Sequence, residues 1–167
     1  LIDGTGKHGL NVADQSATGF VYYDNVVMNS GRSGLRFNTT DLVGAKFYNN
    51  TFFNTGGYPA LANDWNLAMG ALEFRNNIVV PSGAAKAYLG GSVGLSTAAG
   101  IFSNNLWFSG AGAVLGTGNV TTDPRFVSTG DLHLQATSPA INAGSAAVMP
   151  TVADDFDFRA RPQGGSF

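Results

Sequence analysis

One phrase recurs four times along the 167 residues and leaves few folds open: FVYYDNVVMNSG at Phe20–Gly31, AKFYNNTFFNTG at Ala45–Gly56, LEFRNNIVVPSG at Leu72–Gly83 and GIFSNNLWFSGA at Gly100–Ala111. Each copy carries an aromatic at its third position, an asparagine at its sixth, a mainly apolar triplet and then a small or glycine-rich turn. The sixth positions are Asn25, Asn50, Asn77 and Asn105, at intervals of 25, 27 and 28 residues. Self-similarity at such a period marks a solenoid, in which each repeat buries its apolar face only by stacking on the next.

The pieces within a repeat are too short for helices. Phe20–Asp24 and Val26–Met28 read as strands on either side of Asn25, and a third piece, Gly34–Phe37, repeats the GLNV of Gly9–Val12 at a spacing of 25 residues. Weaker third pieces follow at Pro59–Asn63, Ala87–Gly90 and Ala113–Gly116. Strands of three to five residues at constant period cannot pair as hairpins, but they form three parallel sheets if the chain coils. The expected fold is therefore all-β, a single-stranded right-handed parallel β-helix of four to five short coils, with successive rungs about 4.8 Å apart.

Stacking turns the period into columns. Phe20, Ala45, Leu72 and Gly100 form one inward column, and Tyr22, Phe47, Phe74 and Phe102 a second, because positions two apart share a strand face. Val27, Phe52, Val79 and Trp107 are the expected inward column after the bend. The four asparagines sit at that bend, where their amides can bond one another and the backbone groups that turning exposes. These residues are expected to hold the coil and not to act on a ligand.

Composition supports a stack of strands and turns. Charged residues are only 12% of the chain and there are 23 glycines, a poor recipe for helices. The net charge of −2, with scattered Lys and Arg, shows no electrostatic footprint for nucleic acid. The absence of cysteine excludes disulfides, thiolate metal sites and a Cys nucleophile, while leaving a secreted location open. No apolar run approaches the roughly 18 residues of a membrane span. Both ends read as cut, so the chain is expected to be a piece of a longer protein.

Residues 1–121 read as regular coils. From residue 122 the asparagine phrase stops, and 122–167 read as an atypical closing coil and cap, with the course of 145–167 left open. Asp123-Pro124-Arg125-Phe126, Gly130-Asp131-Leu132-His133-Leu134, Ser138-Pro139-Ala140-Ile141-Asn142-Ala143-Gly144, and Asp157 through Arg161-Pro162-Gln163-Gly164 follow in order. Together with the repeats, this ending resembles the carboxy-terminal part of secreted bacterial β-helix-repeat proteins of the pectate-lyase-like superfamily. Their ending has the form DPxF…GDxHLxxxSPAIDxG…D…RPxG. Asn142 stands where that pattern has Asp, and the Asp-Ile-Gly-Ala-x-Glu phrase that usually follows is absent. The resemblance implies the β-helix fold, a secreted or cell-surface location, a packing role for His133 and a carbohydrate-related role. It does not choose between lyases, hydrolases, esterases and non-catalytic adhesins, because function is grafted onto the outer surface of a shared scaffold.

Candidate chemistry lies at the outward positions of the aromatic strand. Val21, Lys46, Glu73 and Ile101 form one outward column, and Tyr23, Tyr48, Arg75 and Ser103 the next. Lys46, Glu73 and Arg75 are the candidate catalytic groups on this face, since a lyase needs a cation for the substrate carboxylate and a base for the α-proton. The alternative reading of Lys46 and Glu73 is an ordinary cross-strand charge pair. Asp64, on the loop entering the coil of Glu73, is the second carboxyl that a glycoside hydrolase would require. Tyr23 and Tyr48 on the sheet, with Tyr58 and Trp65 on the 57–68 loop, are candidate sugar-binding aromatics. No cofactor is expected; Asp154, Asp155 and Asp157 are a weak candidate set for Ca²⁺.

Three functions stay open. The first is a β-helix domain of a bacterial carbohydrate-active or surface protein, open to carbohydrate binding and with no demonstrable catalytic activity of its own. The second is a polysaccharide lyase or glycoside hydrolase. The third is a module that self-associates through its coil ends, where unpaired strand edges invite pairing.

Overall fold

The structure is a computed structural model; it describes residues 1–13, 19–38, 42–56, 60–63, 72–83, 88–90, 100–148 and 151–161. The described residues contain strands β1 (Ile2–Asp3), β2 (Leu10–Val12), β3 (Val21–Tyr23), β4 (Val26–Met28), β5 (Leu35–Phe37), β6 (Lys46–Tyr48), β7 (Thr51–Thr55), β8 (Leu61–Asn63), β9 (Leu72–Arg75), β10 (Ile78–Pro81), β11 (Leu89–Gly90), β12 (Gly100–Ser103) and β13 (Leu106–Trp107). Every third strand joins the same sheet. The orders are β1-β4-β7-β10-β13, β2-β5-β8-β11 and β3-β6-β9-β12, and every strand pairing is parallel. This is the right-handed parallel β-helix that the period demands.

Register reproduces the columns. Tyr22 pairs with Phe47, Phe47 with Phe74 and Phe74 with Phe102, with ring centroids 5.2, 6.2 and 5.4 Å apart. Val27, Phe52, Val79 and Trp107 are also in register, and all four are fully buried. The core is thus a column of rings and aliphatics, and the offset and tilted ring pairs add to its area burial.

The bend between the aromatic strand and the next is fixed twice. The asparagines before the ladder, Asn49, Asn76 and Asn104, adopt φ of 54°, 57° and 54°, and Asp24 takes 51°; Asn and Asp are the non-glycine residues that best tolerate this left-handed conformation. Behind them the ladder runs along the axis. Asn50 Nδ2 and its backbone N–H both donate to Asn77 Oδ1, at 3.0 and 2.9 Å. Asn77 repeats this on Asn105, and Asn25 on Asn50. Each of Asn50, Asn77 and Asn105 also donates to a carbonyl of the rung below, at Tyr22, Phe47 and Phe74. The sequence missed the last member, Asn119, whose Oδ1 accepts from the Asn105 N–H.

One expectation needs correction. Ala113–Gly116 forms no strand; Val114 and Leu115 instead pack against the end of the core, while Thr117 and Val120 bridge to Ser103 and Leu106. Gly116 (φ 86°) must be glycine, because a Cβ there would fall on the Phe102 carbonyl. Beyond Val120, the described residues lay down no further rung and instead lie along the flank of the stack. Phe126 meets Phe53 edge-on. Asn104 Nδ2 then donates to the Ala143 carbonyl, Asn76 exchanges two hydrogen bonds with the Ser145 backbone, Val148 and Val152 cover Tyr48, and Arg161 reaches Asp24. The described residues 143–148 and 151–161 therefore make contacts that descend from the fourth repeat to the first, as a strap across the asparagine corner.

Candidate functional site

The outward face of β3, β6, β9 and β12 holds the residues singled out for chemistry. Lys46 is the register neighbour of Glu73, and Tyr48 of Arg75. Glu73 Oε2 accepts from Tyr48 Oη at 2.6 Å and from Arg75 Nε at 3.1 Å, and Arg75 Nη1 donates to Ser103 Oγ at 3.0 Å. Tyr48, Glu73, Arg75 and Ser103 thus form one network. Tyr48 was expected to be an exposed binding aromatic, yet it is 0% exposed. Alternation does turn it away from the core, but Val148 and Val152 of the strap close over it. Tyr23, one rung below, remains 49% exposed. Asp64, Trp65 and Tyr58 lie outside the described residues.

A second constellation surrounds the corner. The strap and the Gly130–Leu134 segment stand off the stack and enclose a cleft of about 900 Å³. Outward side chains of successive rungs, Val26, Thr51, Ile78 and Leu106, line its stack side, and Asp131, His133, Asp157 and Arg161 line the other.

His133 was expected to pack, but its side chain is 57% exposed and is held between two carboxylates. Nδ1 is 2.5 Å from Asp131 Oδ1 and Nε2 is 2.6 Å from Asp157 Oδ2. In GDLHL, Leu132 and Leu134 are the less exposed residues and His133 the exposed one, which is the alternation of an extended segment with one side on the protein. The carboxylates of Asp157 and Asp131 raise the His133 pKa above its ordinary value. Hydrogen bonding from the His133 ring, and then from its backbone N–H, lowers that of Asp131. An imidazolium donates from both nitrogens, so only the charged form satisfies both carboxylates.

Asp24 sits at the first-repeat end of the cleft, with Oδ1 3.2 Å from Arg161 Nη2. Desolvation raises its pKa to about 6; Arg161 opposes the rise, and Asp154 and Asp155 add to it. Its side chain is only 10% exposed. Contact between residues 137 positions apart leaves no local sequence pattern. One signal was available: Asp24 stands where the three later repeats have Asn49, Asn76 and Asn104.

The candidate calcium set is not gathered. Asp155 Oδ1 accepts from the Asp157 and Arg159 N–H groups, Asp157 holds His133, and the Asp154 backbone carbonyl accepts from Arg161. Among the described residues no group of three or more His, Cys, Asp or Glu side chains is arranged to hold a metal ion, and no helix is long and apolar enough to cross a membrane. Comparison with known proteins returned no match among family models, curated proteins or solved structures.

Proposed function

We propose that this chain is a β-helix domain of a secreted or cell-surface bacterial protein of the pectate-lyase-like type, and that it binds carbohydrate without turning it over. The observation that carries the reading is the commitment of Glu73. One of its oxygens already takes two hydrogen bonds, from a buried tyrosine and from an arginine that is itself bonded to Ser103. A general base must reach the substrate proton directly or through one water, and a carboxylate whose Oε2 is already engaged by its sheet neighbours is better suited to fixing the Tyr48 hydroxyl and the Arg75 guanidinium. The residues of the family-like ending support the assignment, because they fold the segment before the strap and tie it to the strap: Ser138 Oγ donates to the Pro124 carbonyl, Asp123 accepts from the Arg125 N–H, and His133 joins Asp131 to Asp157.

The test is a glycan array combined with assays for reducing sugar and for unsaturated product. Binding to at least one polysaccharide class without turnover is expected. Turnover abolished by Glu73→Gln, in a variant that still folds, would favour the lyase or hydrolase reading instead.

A further inference from the structure

The cleft at the asparagine corner is lined by residues of the ending, Gly130–Leu134 and Ala140–Gly144, to which the sequence had given only a packing role. We propose that it is the carbohydrate site and that it takes an uncharged oligosaccharide. This rests on the glycan-binding reading above and adds to it a place and a class of sugar.

Three observations point to that occupant. The volume of about 900 Å³ is within the range of ligand pockets, roughly 300–1,000 Å³. The cleft is also long, since its stack side draws one outward residue from each of four successive rungs, from Val26 to Leu106. A chain-like ligand lying along the helix axis meets the same kind of surface at every rung, about 4.8 Å further on.

The rim has the chemistry that hydroxyl-rich rings require. Phe156 and Ile141 line the cleft while remaining 45% and 43% exposed, which supplies apolar surface for the C–H face of a sugar ring. Beside them, Asp131 and Asp157 each engage His133 through a single oxygen. The second oxygen of each has no partner among the described residues and can accept from sugar hydroxyls through charge-assisted hydrogen bonds.

Charge excludes the obvious rival. Four carboxylates line the cleft against two arginines and His133, and both His133 and Arg161 already face carboxylates. A polyuronate would bring more carboxylates into a site with no surplus of cations, where like charges in one site repel. A neutral chain meets no such opposition.

The experiment is calorimetric titration of the whole chain with neutral hexose oligosaccharides and, separately, with oligogalacturonate. It is repeated on Phe156→Ala, on Thr51→Trp, which places an indole across the middle of the cleft, and on Lys46→Ala on the neighbouring sheet. Coincident thermal melts establish that the variants fold. The proposal expects binding of a neutral oligosaccharide, about tenfold weaker in Phe156→Ala, lost in Thr51→Trp and unchanged in Lys46→Ala. Binding that ignores both cleft substitutions but falls in Lys46→Ala overturns the proposal and leaves the glycan-binding role intact. Tighter binding of oligogalacturonate overturns the class of sugar. Absence of binding to every saccharide overturns both the site and the role.

Discussion

Replacing Asn77 with alanine removes more of the fold than its size suggests. The side chain is fully buried and stands in the middle of the ladder. Its Oδ1 accepts from the Asn50 N–H and Nδ2, and its Nδ2 donates to Phe47 O, Arg75 O and Asn105 Oδ1. In Asn77→Ala the Asn50 Nδ2 keeps its bond to Tyr22 O, and Asn105 Oδ1 keeps the Asn77 N–H. The Asn50 N–H keeps nothing. A buried donor left without a partner costs about 1–3 kcal/mol, and loss of the Nδ2 donations to Phe47 O, Arg75 O and Asn105 Oδ1 adds to this, for a total of roughly 2–4 kcal/mol. For a chain of this size each kcal/mol is worth roughly 2–4 °C in Tm, so a fall of about 5–15 °C follows. Urea and thermal unfolding followed by far-UV circular dichroism measure it. A loss below about 1 kcal/mol, the usual net worth of one hydrogen bond, would refute the view that the ladder satisfies buried backbone at the bend.

Three further outcomes follow from the strap. Tyr48→Phe removes the 2.6 Å bond to Glu73 while keeping the ring under Val148 and Val152, and should cost about 1–3 kcal/mol in the same unfolding assay. Asp24 is raised to about 6 from 3.8, so its contribution to stability is full below the unfolded value and is lost as pH rises through the folded one. Asp24→Asn, which supplies the residue type found at the matching position of the other repeats, should flatten the change in Tm between pH 4 and pH 7. The His133 pKa is also raised, so its contribution is full below the ordinary histidine value and disappears as pH rises through the folded one. An NMR titration should place its midpoint above 6.5, and Asp157→Asn should move that midpoint down.

The period made the fold legible. Tyr22, Phe47, Phe74 and Phe102 lie at rung spacing, and parallel pairing in register converts rung spacing directly into contact. The asparagine ladder was readable for the same reason. The candidate site was less so. Alternation shows that Tyr48 points away from the core, but its burial depends on Val148 and Val152, about a hundred residues later, and no periodicity connects them. The strap's attachments, Asn76 to Ser145 and Asp24 to Arg161, span 69 and 137 positions. Some of them join side chains to backbone groups, which carry no residue identity to read. His133 was recognisable as part of an ending, but its second carboxylate, Asp157, lies 24 positions further on, and no local pattern shows that the chain returns it to the ring.

The strap lying along the asparagine corner is what buries Tyr48 and walls the cleft. Hydrogen exchange measured by mass spectrometry on the whole chain, with and without Asn76→Gly, tests this most directly. Glycine keeps the φ of 57° at that position and removes only the amide that holds the Ser145 backbone. The account predicts slow exchange at Ser145 in the unaltered chain, faster exchange across 143–148 in the variant, and unchanged protection in β7 and β10. Exchange across 143–148 that is already at the unfolded rate in the unaltered chain, or that does not respond to the substitution, would contradict it.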